Sequence, residues 1–307
     1  MEMNRPSNQG IIETYLNHYR HSNQSVKTRK SSLNYFFESK YFGFKKHIFD
    51  IDTDTLIDYF DYLKHLKTIS LDTKKTKWIL LISLLNFCME YYRKHNFIVV
   101  IPKHSINWNG IDHKQPNTNK DIVMTKEEVE QILDYCKLTN YHYYLIFRIF
   151  AETGVRKSGL INIDYDKINI EKRYFNTIEK YGREAIYYYS KDLAKHVRIY
   201  LKQRKLRNSN SKAFFLSNHL KRFSERPFNM ILKTITKELK INKNVTCHTF
   251  RRTLNTLRFK MGCPDRVLKI LLNHKVENVN YNSYVKLNYN QYLELYDKWY
   301  PYQDIQI

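Results

Sequence analysis

Between Pro102 and Lys120 the chain runs through Asn, His, Gly and Pro with no hydrophobic period, while regular apolar spacing continues on both sides. A stretch of this kind is an exposed connection, and it commits the chain to two units that must each bury a core. The 307 residues leave enough chain on either side for that. The expected division is a helical unit over residues 1–103, a linker over 104–120 and a second unit over 121–307.

The first unit reads as helix throughout. Ile11, Ile12, Tyr15, Leu16 and Tyr19 share one face, and Leu33, Tyr35, Phe36 and Phe37 crowd a second helix behind a cap expected at Ser25. Leu56, Phe60 and Leu63 define a third, entered through Asp52 or Thr53. Trp78, Leu81, Leu85, Cys88 and Tyr92 define a fourth, ending near Asn96. Four short helices make a small bundle, with the aromatics as its core. Off the apolar faces lie Lys27, Thr28, Arg29 and Lys30, then Lys74, Lys75 and Lys77. For any one of these a solvated face is the default; as two clusters at helix starts they also suit contact with phosphates.

The second unit opens on Thr125 and Glu128, spaced as a capping box. From Ile161 to Tyr189 the period shifts toward two, which predicts a small antiparallel sheet turning near Tyr181-Gly182, with Lys180 at the turn. The fold class expected is mainly α with a small antiparallel β-sheet. A last helical pattern, Tyr292, Leu295, Tyr296 and Trp299, follows with little chain left to fold against.

Chemistry concentrates between Cys247 and Tyr284. His248 and Arg251 stand three apart, so a helix turns both to one side. The apolar run Val267, Leu268, Ile270, Leu271 and Leu272 has helical spacing and delivers His274 just past its end. A planar cation, two imidazoles and a nearby phenol suit a phosphodiester, because Arg grips phosphate bidentately and His moves protons near neutral pH. His-x-x-Arg alone is not specific, and a second copy stands at His219 and Arg222. Only the first copy finds a histidine 26 residues on; from His219 that step lands on Val245.

Composition agrees with a polyanion partner. The formal net charge is +22 and the pI about 9.6, which favours nucleic acid, with a membrane surface as the rival. Enrichment in Lys, Asn, Ile and Tyr fits an AT-rich genome, so codon usage accounts for part of that charge. No apolar run approaches transmembrane length and MEMNRPSNQG has no signal-peptide core, so a cytoplasmic protein is expected. Cys88, Cys136, Cys247 and Cys263 form neither a Cys-x-x-Cys pair nor a zinc-ligand spacing, and are expected as reduced structural thiols with no metal.

As a set, these elements resemble the tyrosine recombinase (phage integrase) family in its Xer-like form. CHTFRR with LLNH and a following Tyr resembles the C-terminal signature, IFAETGVRKSGL the first arginine box with Arg156, and FNTIEKYGREAIYYYS the hairpin that carries the family lysine, here Lys180. Two positions depart from the pattern: Gly159 where the family often has an acid, and Asn273 where it usually has Gly. The resemblance implies a helical core-binding domain followed by a catalytic domain, and the two basic clusters then match helices that cross the DNA. It implies that Arg156 and Arg251 clamp the scissile phosphate, Tyr284 attacks it, His248 takes the phenolic proton, Lys180 protonates the leaving 5′-oxygen and His274 hydrogen-bonds the phosphate. No cofactor is needed. It further implies duplex DNA with short inverted repeats, a tetramer on that DNA, and a C-terminal helix that docks on a neighbouring protomer. Tyr281 is the rival nucleophile. A type IB topoisomerase shares the chemistry, and a non-catalytic DNA-binding descendant is the third reading, hinted at by Gly159. Integration, excision and chromosome-dimer resolution share one active site and are not separated by it.

Overall fold

The computed structural model describes residues 5–19, 23–102, 106–111, 122–179, 182–224, 227–274 and 287–305. The chain divides into two compact units, Met1–Lys120 and Asp121–Ile307.

In the first unit the apolar stripes form four helices, α1 (Asn8–His18), α2 (Asn23–Phe37), α3 (Thr53–His65) and α4 (Leu71–Tyr91). Ser7, Asp52 and Ser70 cap α1, α3 and α4 by accepting a first-turn amide. The Ser25 cap is corrected: α2 already begins at Asn23, so Ser25 lies inside the helix. Tyr15, Phe36, Leu56, Tyr59, Leu63, Leu84 and Leu85 are fully buried. Past α4 the chain makes a short 3-10 turn over Arg93–His95 and reverses at Asn96, whose φ of 49° a short amide side chain tolerates. Part of the expected linker differs from an exposed connection. Within 106–111, Ile111 is buried and the Trp108 ring meets Phe60 edge-on at 4.9 Å, because this short piece carries apolar groups the first core can cover.

The second unit is built around a buried helix. The capping box at Thr125 and Glu128 forms as expected and starts α5 (Lys126–Thr139). After it comes α6 (Tyr141–Thr153), whose last ten residues, Tyr144 to Thr153, are all buried. A helix apolar nearly all round must sit inside, and α6 packs against α5, α8 (Lys191–Leu206) and α10 (Cys247–Lys260). A short α7 (Lys157–Ile161) leads into the sheet of β1 (Ile168–Asn169), β2 (Tyr174–Ile178) and β3 (Glu184–Tyr188), antiparallel in the order β1-β2-β3. Phe175 pairs with Tyr187 and Ile178 with Glu184, so the chain turns at the expected place. Gly182 takes a φ of +71° in that turn. Helices α9 (Pro227–Glu238) and α11 (Asp265–Leu271) complete the unit with α12 (Tyr289–Lys298). In this single chain α12 lies on its own unit: Tyr292 stacks on Tyr188, and Asp297 accepts two hydrogen bonds from Arg173. Among the described residues no helix is long and apolar enough to cross a membrane. All four cysteines are buried and free.

Candidate active site

Three element ends meet at one place. Helix α6 stops at Gly154, whose φ of +63° is a left-handed C-cap. A Cβ there would lie 2.9 Å from Leu272 Cδ2 and 3.2 Å from Leu254 Cδ2, so glycine also permits the close approach of α10 and the end of α11. Two residues on, Arg156 precedes α7 with its side chain about one-third exposed.

Helix α10 starts where Thr246 donates its amide to Thr249 Oγ1 at 3.0 Å and Asn229 of α9 accepts the Cys247 amide at 3.1 Å. The spacing of three puts His248 at the exposed edge and Arg251 just inside, only 4% exposed. Arg251 Nη1 donates to the Gly154 carbonyl at 2.6 Å, and Nη2 to the Leu272 carbonyl at 2.6 Å. The guanidinium therefore satisfies the ends of α6 and α11 at once. A longer contact, 3.4 Å, reaches the Tyr187 hydroxyl on β3.

His274 follows α11 through Asn273, which has a φ of +52°. That left-handed conformation is the reason glycine suits the position, and Asn is among the few other residues that accept it. Its amide also gains a partner: Nδ2 donates to the Ile186 carbonyl at 2.8 Å, which ties the end of α11 to β3.

Arg156, His248, Arg251 and His274 therefore lie within electrostatic reach of one another. Partial loss of hydration, then the charges of Arg252, Arg251 and Arg156, hold the His248 pKa below its ordinary 6.5. The same loss, then Arg251, Arg156 and Arg183, lowers His274. Both imidazoles are thus neutral at pH 7, and His248 is ready to accept a proton. In the DNA-free protein, NMR titration of the two rings should give midpoints below 6.5; the base form then persists into mild acid, and the acid limb of kcat/KM for a reaction using His248, which reports the free protein, lies below that value. A His248 midpoint above 6.5 would contradict this. Lys180, Tyr281 and Tyr284 lie outside the described residues.

The sequence reading missed Glu179 and Tyr187. Glu179 is buried, pairs with Arg156 and accepts the Tyr187 hydroxyl at 2.6 Å. The signal was the strand period: Phe175, Thr177 and Glu179 alternate onto the inner face, and a carboxylate there needs a partner.

In the first unit the six basic residues separate. Lys27 and Lys30 are exposed and Lys75 is half-buried. Arg29 turns inward over the rings of Tyr15 and Tyr19. Lys74 donates to the Lys64 carbonyl at 2.9 Å from a fully buried position, and the Lys77 ammonium sits 3.2 Å from the Tyr35 ring centre. Lys27 and Lys77 line a shallow groove with Thr28, Ser31, Thr73 and Thr76.

Residues 123–291 match the phage integrase family, a range that contains all six positions of the expected site. The tyrosine recombinase XerC of Caldanaerobacter subterraneus subsp. tengcongensis is 28% identical over 236 residues, which cover 74% of this chain and 65% of that relative. This chain thus matches just under two thirds of that protein. The XerC of Leptospira interrogans is 21% identical over 289 residues, 92% of this chain and 89% of the relative. Among solved structures, the XerH site-specific recombinase bound to its difH substrate in a pre-cleavage complex shares the fold, with a TM-score of 0.65 and 17% identity over 95% of this chain and 84% of that one.

Proposed function

The chain belongs to the phage integrase family, and from that premise we propose that it is a tyrosine-type site-specific recombinase, cleaving and rejoining duplex DNA through a 3′-phosphotyrosyl intermediate. The observation that supports this best is the seating of Arg251, fixed between the ends of α6 and α11 with Arg156 and two neutral imidazoles around it. Two guanidiniums held before substrate arrives are suited to the non-bridging oxygens of a phosphate, whose charge grows in the transition state. Tyr284 attacks the phosphorus and its proton passes to His248; the bond to the 5′-oxygen breaks, and Lys180 supplies the proton that leaves a 5′-hydroxyl. His274 donates to the phosphate. The energy of the broken bond stays in the phosphotyrosyl link, so a second 5′-hydroxyl reseals the strand without ATP. The same proposal includes binding through the exposed Lys27 and Lys30 and the half-buried Lys75, with Arg29, Lys74 and Lys77 holding the helices that carry them. It also includes assembly as a tetramer on paired inverted repeats.

The test is covalent capture. The protein is incubated with fragmented DNA of its source, denatured in detergent and digested, and the attached DNA and the modified peptide are both sequenced. Adducts on a few short inverted repeats, carried by Tyr284, are expected. A nucleotide on Tyr281 moves the nucleophile. Scattered adducts point to topoisomerase-like relaxation, and no adduct even on nicked duplexes defeats the catalytic reading.

A further inference from the structure

One buried carboxylate reaches both halves of the arginine pair, Arg156 directly and Arg251 through Tyr187, and we infer that Glu179 is a positioning residue for Arg156 and Arg251, delivered from the sheet into space that glycine at 159 leaves open. The inference rests on the recombinase reading above and adds to it a group that does not meet the substrate.

Glu179 follows β2 and is 4% exposed. Its Oε2 takes Nη1 of Arg156, while Oε1 accepts the Tyr187 hydroxyl at 2.6 Å and lies 3.4 Å from the Arg156 amide. Tyr187 receives Nη1 of Arg251 at 3.4 Å. Arg156 is thus held directly and Arg251 through one phenol. A carboxylate in so dry a place requires partners, and the Arg156 guanidinium is its ionic one. The anion also offsets the repulsion between two guanidiniums facing one site before any phosphate arrives.

The space is specific. A Cβ at Gly159 would lie 3.4 Å from both Cγ and Oε1 of Glu179 and 2.9 Å from Val155 Cγ2. Thr177 Oγ1 donates to the Gly159 carbonyl at 2.6 Å, which holds β2 against α7 at this point. An acidic side chain at 159 and the carboxylate of Glu179 compete for one volume. This chain fills it from the strand. The Glu179 amide also donates to the Arg183 carbonyl at 2.8 Å, which ties the end of β2 to the residue before β3.

The test compares wild type with E179Q, E179G, G159D and the exchange E179G/G159D on duplexes that wild type captures. Single-turnover cleavage is measured at saturating DNA, affinity separately, and phenylglyoxal modification of Arg156 in free protein by peptide mass spectrometry. E179Q and E179G should cleave ~10–100-fold more slowly, with affinity within about threefold, as expected for a lost transition-state alignment. G159D alone should be impaired by crowding, and the exchange should recover at least about tenfold over E179G. Arg156 should react faster in E179Q, since the ion pair that holds its guanidinium against the sheet is lost and the group is freer to meet the reagent. E179Q at the wild-type cleavage rate, or a folded exchange no better than E179G, overturns the inference; an exchange that does not fold leaves E179Q to decide it. Should wild type capture no DNA, the recombinase reading fails, and Arg156 reactivity unchanged in E179Q would still overturn the positioning role.

Discussion

Arg251→Lys should slow single-turnover cleavage by roughly 10²–10³-fold, the usual cost of removing one preorganised donor from a developing oxyanion. The charge survives the exchange, so the expected loss comes from geometry. Arg251 holds the Gly154 and Leu272 carbonyls at 2.6 Å with two different nitrogens, an arrangement only a planar fork can make. A single ammonium reaches one carbonyl and leaves the other buried without a donor, at about 1–3 kcal/mol. Cleavage and stability should therefore fall together, while affinity for the captured duplex stays within about threefold because the phosphate contacts proposed for the first unit are untouched. The measurements are adduct formation against time at saturating DNA and a thermal melt. A lysine variant cleaving within about fivefold of wild type would show that Arg251 serves the fold alone.

What the sequence made legible follows from how local each signal is. His248 and Arg251 were readable because three residues on a helix fix a shared face, and Thr125 with Glu128 because a capping box is complete within four positions. The turn after β2 showed itself in the strand period and in Gly182. The basic clusters were read only as faces, because a long side chain can turn back on its own unit: Lys74 reaches the carbonyl of Lys64 ten residues earlier, and Lys77 covers Tyr35. Gly159 looked like a missing carboxylate because sequence shows the vacated position and not the residue, twenty further on, that fills the same volume. Asn273 was a departure from a glycine pattern until its backbone and its bonds to Ile186 gave it a reason.

Glu152→Ala should produce the largest loss of stability in the second unit. The carboxylate is fully buried and accepts from Arg148 Nε at 2.9 Å, from the amide and hydroxyl of Ser190 at 2.9 and 3.0 Å, and from the Tyr296 hydroxyl at 3.1 Å. It therefore joins α6, the start of α8 and α12. Removing one partner of a buried ion pair costs about 3–5 kcal/mol, since the other charge is left in a dry site. Here the lower end applies, because Arg148 keeps Asp192 at 2.8 Å, a residue half exposed to water. About 3 kcal/mol corresponds to a melting temperature lower by roughly 6–12 °C for a unit of this size. Replacing both charges, as Arg148→Met with Glu152→Leu, should recover much of that loss, because an apolar pair avoids the desolvation cost. Tyr296→Phe isolates the strand of the network that reaches α12 and should cost only about 1 kcal/mol. A melt of Glu152→Ala within about 2 °C of wild type would mean that water reaches Arg148 and Ser190 once the carboxylate is gone, and that the other contacts of α12, among them Tyr188, Leu271 and the Arg173–Asp297 pair, suffice to hold it.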